Sequence, residues 1–233
     1  MSLAVVTGAA RGIGRAIAEE LALSGHRPVM VDVSPDVKEA AAALDAIAVQ
    51  ADITDPEGRT SVGDAVDRAS APLAVLVNNA GITRDALIGK MDEQAFRAVL
   101  RVNLGGTYAL TEFLAGRIRD GGAVVNLSSR AQLGNVGQYN YAVSKAGVIG
   151  CTRALALAYA PRLRVNAVAP GFVDSEMTRA MPPRVRERIV GRVPLGRAGR
   201  PDDIATAVAW LASAGSGYVT GQVLYVCGGR SYG

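Results

Sequence analysis

Tyr141 and Lys145 stand four residues apart in Tyr141-Ala142-Val143-Ser144-Lys145. On a helix that spacing puts both side chains on one face, a turn apart. A phenol holds its proton to a pKa of about 10, and a neighbouring ammonium favours the phenolate. The pair is a candidate proton-transfer device for work near neutral pH. The same spacing also describes an exposed tyrosine beside a solvated lysine, so the pair gains meaning only from what the chain places around it.

A second group could hold an anion. Thr7-Gly8-Ala9-Ala10-Arg11-Gly12-Ile13-Gly14 follows an apolar strand over 2–6 and leads into a helical pattern in Ile17, Ala18, Leu21 and Ala22. Glycines let the backbone approach a pyrophosphate, and first-turn N–H groups with the helix dipole favour the negative charge. Gly8, Arg11, Gly12, Ile13 and Gly14 are read as that cradle. The second strand, over 28–33, ends at Asp32, about 20 residues beyond the glycines, where a carboxylate bonds adenosine ribose hydroxyls. It would repel a 2′-phosphate, so NAD is the expected cofactor and NADP the lesser one, although Arg11 pulls the other way. Asp32 could instead cap the turn before Ser34-Pro35. Asp52 and Ile53 follow the third strand and could contact the adenine, or Asp52 or Asp55 could cap the next helix. Asn78-Asn79-Ala80-Gly81 ends a buried strand over 73–77, and ligands bind at such strand ends in open parallel sheets.

The elements that must carry these groups alternate. Helices are expected over 35–44, 58–69 and 92–119, then over the stretch bearing Tyr141 and Lys145 to Ala160, and over 201–212. Strands are expected over 46–51, 123–127, 163–169 and 221–226. Asn103 falls inside the long helical region, where an asparagine is unfavourable unless its amide has a task. Ser128 and Ser129 end the strand before a loop with Gly134 and Gly137. This pattern describes one α/β domain over 1–233, a doubly wound Rossmann-type sheet of about seven parallel strands with helices on both faces. With no separate substrate domain, the only insert large enough to cover a substrate is 174–200.

Composition narrows the function. Of the 233 residues 49% are hydrophobic and 5% aromatic, which suits parallel strands covered by helices. No apolar run reaches the roughly 20 residues of a membrane span, and the start has no basic region of a signal peptide. Cys151 and Cys227 make no disulfide framework, so a cytoplasmic setting is expected. His26 is the one histidine, expected in a surface loop, and a His-ligated metal site is not expected. The net charge is +4 and lysines are few, so no nucleic-acid patch is expected. Arg184, Arg186, Arg188, Arg192 and Arg197 read as a solvated face, with a CoA phosphate or an acidic carrier protein as the alternative.

Together these residues resemble the short-chain dehydrogenase/reductase family along essentially the whole chain. The matching elements are Thr7 to Gly14, Asn78 to Gly81, Asn103, Ser128-Ser129, Tyr141 with Lys145, Pro170-Gly171, and Thr220-Gly221-Gln222-Val223…Gly228-Gly229. The stretch from Asn79 to Asp85, with Lys90-Met91, looks most like 3-oxoacyl carrier-protein and acetoacetyl-CoA reductases. The resemblance implies that Tyr141 is the acid in reduction and the base in oxidation, and that Lys145 lowers its pKa and holds the nicotinamide ribose. It implies that a serine orients the substrate oxygen and that Asn103 holds a water linking Lys145 to solvent. Val173 would meet the nicotinamide through its backbone, and Ser175 replaces a usual threonine there. Counting from the strand selects Ser129 as the catalytic serine, and counting back from Tyr141 selects Ser128; Ser129 is preferred because loops absorb deletions more readily than strands. Cys227 replaces a usual aspartate. The resemblance further implies a homotetramer and hydride transfer between NAD(H) and a secondary alcohol or ketone. The favoured substrate is a 3-oxoacyl or 3-hydroxyacyl thioester. The relatives mostly use NADPH, so Asp32 also leaves open a catabolic dehydrogenase of a cyclic alcohol or dihydrodiol. A non-catalytic dinucleotide sensor is disfavoured because Tyr141 and Lys145 are both present.

Overall fold

The computed structural model describes residues 1–175, 178 and 181–232; Glu176, Met177, Arg179 and Ala180 of the 174–200 insert lie outside the described residues. Seven strands form one sheet: β1 Ser2–Thr7, β2 His26–Asp32, β3 Ile47–Gln50, β4 Leu73–Asn78, β5 Ile118–Leu127, β6 Leu163–Pro170 and β7 Val223–Val226. Their order is β3-β2-β1-β4-β5-β6-β7, and every pairing is parallel. The order reverses between β1 and β4, and the crevice at that switch point is where such sheets bind ligands.

The helices are α1 Gly12–Leu23, α2 Val37–Ala42, α3 Pro56–Arg68, α4 Glu93–Leu100, α5 Thr107–Ala115, α6 Tyr139–Tyr159, α7 Pro183–Val190 and α8 Pro201–Ala212. They cover both faces because alternate strand residues point to opposite sides. Ala4 and Val6 of β1 join one buried cluster with Ile17 and Leu21 of α1 and Ile204 and Val208 of α8. Leu3 and Val5 join the other with Val62 of α3, Leu110 and Leu114 of α5 and Leu155 of α6. A buried polar ladder crosses this second layer. Asn78 Nδ2 donates to Thr111 Oγ1 at 2.9 Å and to Asn126 Oδ1 at 2.8 Å, and Asn126 Nδ2 donates to Thr152 Oγ1 at 2.9 Å. The ladder ties β4 and β5 to α5 and α6, so the strand ends that carry the site are held from beneath.

Three sequence expectations need correction. The helical region over 92–119 ends at Ala115, and its middle, Arg101–Gly106, is a π-helical turn. β5 then starts at Ile118, where it pairs with Leu73, and the register jumps so that Val75 faces Ala123. Gly121, at φ +76°, lets the intervening residues bulge out. His26 is not a loop residue. It opens β2 opposite Ser2, half-buried, with Nδ1 3.0 Å from Ser2 Oγ.

Candidate active site

Two adjoining cavities open along the carboxyl ends of the strands. The first, about 590 Å³, is lined by Gly8, Arg11, Ile13, Gly14, Asp32, Asp52, Ile53, Asn79, Ala80 and Gly81, with Val31, Ile82, Val102 and Ser175 among the others. The second, about 540 Å³, is lined by Ser128, Ser129, Tyr141, Lys145, Pro170, Gly171 and Val173, together with Thr83, Arg84, Phe172 and Thr178. Arg11, Ile13, Asn79, Gly81, Ile82 and Ser175 line both, so an elongated ligand can run from one into the other.

The first cavity has the form of a dinucleotide cradle. Arg11 stands at the N-cap of α1 and gives that helix no side-chain cap. Gly14 sits so close to the preceding turn that an added Cβ would lie 2.0 Å from the Gly8 carbonyl oxygen. Asn79 locks the turn to β4. Its Nδ2 donates to the carbonyls of Thr7 and Gly8 at 2.9 and 3.1 Å, while Thr7 Oγ1 accepts the N–H groups of Asn79 and Ala80, both at 3.0 Å. Of the adjacent asparagines, Asn78 therefore braces the sheet and Asn79 shapes the cavity.

Asp32 braces the turn and lines the cavity. Oδ2 accepts from Ala10 N–H of the glycine turn, and Oδ1 accepts from Ser34 N–H, each at 3.0 Å. A carboxylate has about four acceptor positions, so two such bonds leave acceptor capacity toward the cavity. Asp52 is likewise double: Oδ1 accepts Thr54 N–H at 2.8 Å while the residue lines the cavity. Asp55, at the N-cap of α3, instead pairs with Arg101 at 2.7 Å.

In the second cavity the structure brings Tyr141, Lys145 and Ser129 together. The Ser129 side chain faces that of Tyr141, and its Oγ accepts Ala131 N–H at 3.1 Å. Ser128 is buried, and its hydroxyl donates to the Lys145 carbonyl at 2.8 Å, a packing contact with α6. Lys145 Nζ donates to the Leu127 carbonyl at 2.6 Å and lies 5.7 Å from the centre of the Tyr141 ring. Burial pushes Lys145 down to about 8.

Tyr141 differs from the expectation that its lysine neighbour lowers its proton affinity. Burial pushes the phenol above its ordinary value; the Ser129 hydrogen bond opposes the rise and the Asp85 charge adds to it. With the ammonium bonded to Leu127, desolvation of the phenolate is the larger effect.

The Asn103 side chain is held by the protein. Its amide is fully buried and engaged by protein: Oδ1 accepts Ile82 N–H at 2.8 Å, and Nδ2 donates to Ile82 O and Ser144 Oγ, both at 3.0 Å. The π turn is what lets a mid-helix side chain reach that loop. Gly81 lies between Asn103 and Lys145, its missing Cβ 3.1 Å from Asn103 Oδ1 and 3.4 Å from Lys145 Nζ. Asn103 therefore braces the turn after β4 through its side chain.

Pro170, Gly171, Val173 and Ser175 form the wall at the end of β6. Gly171 N–H donates to the Val226 carbonyl at 2.9 Å, and the Val173 segment pairs with Gly199. Thr178, which no sequence motif marks, joins that wall. Its Oγ1 accepts Ser175 N–H at 2.7 Å and donates toward the Val173 carbonyl at 2.9 Å, so the two hydroxyls form one unit. Cys227, at the usual aspartate position, is buried, and its Sγ accepts from Ser231 Oγ at 3.2 Å. Of the arginine group, Arg197 pairs with Asp203 and Arg186 with Asp174, while Arg184, Arg188 and Arg192 are exposed. Among the described residues no cluster could hold a metal ion and no helix is long and apolar enough to cross a membrane.

A glycine turn at the switch point, running into a cavity lined by a serine, a tyrosine and a lysine one helical turn on, is an arrangement suited to a nicotinamide-dependent oxidoreductase. A family model described as enoyl-(acyl carrier protein) reductase matches residues 8–231. The chain is similar to 3-oxoacyl-[acyl-carrier-protein] reductase FabG of Thermotoga maritima, 42% identical over 235 residues, covering 97% of this chain and 96% of that one. It is 42% identical over 241 residues to the protein of the same name from Staphylococcus aureus and 39% identical over 239 residues to that of Escherichia coli, with the same coverage. The chain belongs to the short-chain dehydrogenase/reductase family.

Proposed function

We propose that the protein interconverts 3-oxoacyl and 3-hydroxyacyl thioesters, with NAD(H) as the cofactor. The observation that carries this reading is the continuity of the two cavities, which leads from the glycine turn to the Tyr141 hydroxyl. The relatives' names supply the substrate class. The glycine turn, Asn79 and Asp32 fit a dinucleotide, because the approach at Gly14 leaves no room for a side chain between the turn and the helix start. Gly8, Gly12, Gly14 and Ile13 would hold its phosphates, Asp32 its adenosine ribose, Lys145 its second ribose, and Val173 with Ser175 its nicotinamide. When bound, it supplies the hydride.

The chain's residues do the rest. Ser129 orients the carbonyl oxygen and Tyr141 delivers a proton to it, taking the proton back when the alcohol is oxidised. Lys145 holds a positive charge beside the phenol as charge develops there. Asn103 positions: it fixes the turn over which Tyr141 and Lys145 act. The 174–200 insert would cover the substrate, a role that suits α7, which buries none of its own residues. Assay of acetoacetyl-CoA with NADH tests the activity; no oxidation of NADH or NADPH by that or longer 3-oxoacyl thioesters would overturn it.

Asp32 carries the cofactor choice. In Asp32→Ala the ratio of kcat/KM for NADH over NADPH should fall about tenfold or more, since a like-charge repulsion of over 1 kcal/mol is removed. Asp32→Asn, which removes the charge but keeps one acceptor oxygen for Ala10 or Ser34, loosens the turn less than Asp32→Ala and so helps to separate loss of charge from loosening of the turn. A parent enzyme that already prefers NADPH would show this reading of Asp32 to be wrong.

We further propose a homotetramer. Leu157 of α6 is 82% exposed, Trp210 of α8 45% and Leu224 of the edge strand β7 37%. These place apolar surface on two separate faces, and an open strand edge invites pairing. Light scattering should give four times the 24.0 kDa chain mass; a monomer would refute it.

A further inference from the structure

Two loops meet over the first turn of α6, and their bonds end on the backbone of Tyr141. Ala86 N–H donates to the Gly137 carbonyl at 2.8 Å. Gln138 Nε2 donates to Asp85 Oδ2 at 2.9 Å. Asn140, fully buried, donates from Nδ2 to the Arg84 carbonyl at 2.8 Å. The other end of the same amide accepts the Tyr141 N–H at 2.7 Å, satisfying a donor that the start of the helix leaves without an intrahelical partner. The Gln138 carbonyl accepts Ala142 N–H at 2.7 Å, and Phe96 stacks on Tyr139 with ring centres 5.8 Å apart. Thr83 and Arg84 line the second cavity, whereas Asp85, Gln138 and Asn140 are not among its lining residues.

We propose that Asn140 and the Asp85–Gln138 clasp are positioning residues, which make the 83–86 loop and the start of α6 one rigid unit and so hold the Tyr141 hydroxyl on its line to the substrate carbonyl. This rests on Tyr141 being the proton donor. The physical reason is leverage. The reactive hydroxyl sits at the far end of a long side chain, so a small rotation of the first helical turn displaces it strongly. A misplacement of about 1 Å costs on the order of 10²-fold in rate. The Asn140 amide bonds the cavity wall with one end and the tyrosine's own N–H with the other, so it transmits position directly between them.

The test uses the full-length enzyme with saturating thioester and NADH, and reads kcat beside the dissociation constant of NADH from its fluorescence. Asn140→Ala, which loses both bonds, should lower kcat by about 10²-fold. Because a buried amide can be needed for folding, the decisive variants are at the clasp, where Asp85 is exposed and Gln138 half-buried. Gln138→Ala and Asp85→Ala should each lower kcat about five- to tenfold, with NADH affinity unchanged, and the double variant should be no slower than the slower single one, as for partners in one contact. Asp85→Asn, which keeps an acceptor for Gln138, should restore kcat. Parent-like kcat in both single variants, or losses that multiply in the double, would overturn the proposal. A Tyr141→Phe control separates the two failures: if it stays active, the reading of Tyr141 falls as well; if it is dead while the clasp variants run at the parent rate, only the positioning proposal falls.

Discussion

Tyr141→Phe is expected to lower turnover by about 10³-fold or more while NADH binds within about threefold of the parent; proton transfer by a placed side chain contributes roughly 10²–10⁴-fold. The substitution removes one oxygen and leaves the ring, so packing against α6 and the cavity wall survives. No neighbour is placed to take over the proton. Ser129 carries an alcohol, far too weak an acid, and the Lys145 ammonium donates to the Leu127 carbonyl, with Nζ 5.7 Å from the centre of the phenol ring. Burial, by raising the phenol's proton affinity, keeps Tyr141 protonated through neutral pH, which is the form reduction requires. Stopped-flow or steady-state turnover paired with NADH fluorescence makes the check: a variant within tenfold of the parent rate removes Tyr141 from the chemistry, whereas a collapse in NADH binding would mean that the hydroxyl serves the cradle and not the proton.

The parts of this site legible in the sequence are those set by local geometry. Tyr141 and Lys145 are one turn apart on any helix, and Gly8 to Gly14 lie between a strand and a helix that their own periodicity announces. Asp32 follows from strand length. What the sequence hid depends on long-range contacts. Ser128 and Ser129 are adjacent and chemically identical; only the packing of α6 decides that Ser128 meets the Lys145 carbonyl while Ser129 meets Tyr141. At the π turn over 101–106 Asn103 bonds Ile82 and Ser144, from two other segments, and intrinsic helix propensity carries no trace of those contacts. β5 starts earlier than its local pattern, because Ile118 pairs with Leu73 across a bulge, where the pattern alone reads as the tail of a helix. Thr83, Arg84, Phe172 and Thr178 reach the second cavity from the ends of different strands, so no spacing rule links them.

Gly14→Ala should weaken NADH binding by at least about 10²-fold while the rest of the domain stays folded, an effect larger than that of any single polar contact in the cradle. The added methyl would lie 2.0 Å from the Gly8 carbonyl oxygen and 2.5 Å from Asn79 Nδ2, and neither can yield cheaply. The carbonyl belongs to a turn held at φ +65° by Gly8, and Asn79 Nδ2 is bonded to that carbonyl and to Thr7 O. Relief therefore needs the glycine turn and the start of α1 to part. That motion tilts the first-turn N–H groups away from the anion they would hold, and about 2.7 kcal/mol of lost binding corresponds to the 10²-fold expected. It would also draw Ala10 away from the Asp32 carboxylate, which it now bonds at 3.0 Å, so the same methyl should blur the choice between NADH and NADPH. The domain itself should survive, because Val6, Ile17 and Leu21 stay buried with Ile204, Val208 and Leu211 of α8, and the turn adds only the small side chains of Ala9 and Ala10 to that layer. Titration of NADH fluorescence beside a thermal melt decides it: parent-like affinity would mean that the turn has slack the packing denies, and loss of the folded state would mean that the turn supports the core rather than the cofactor.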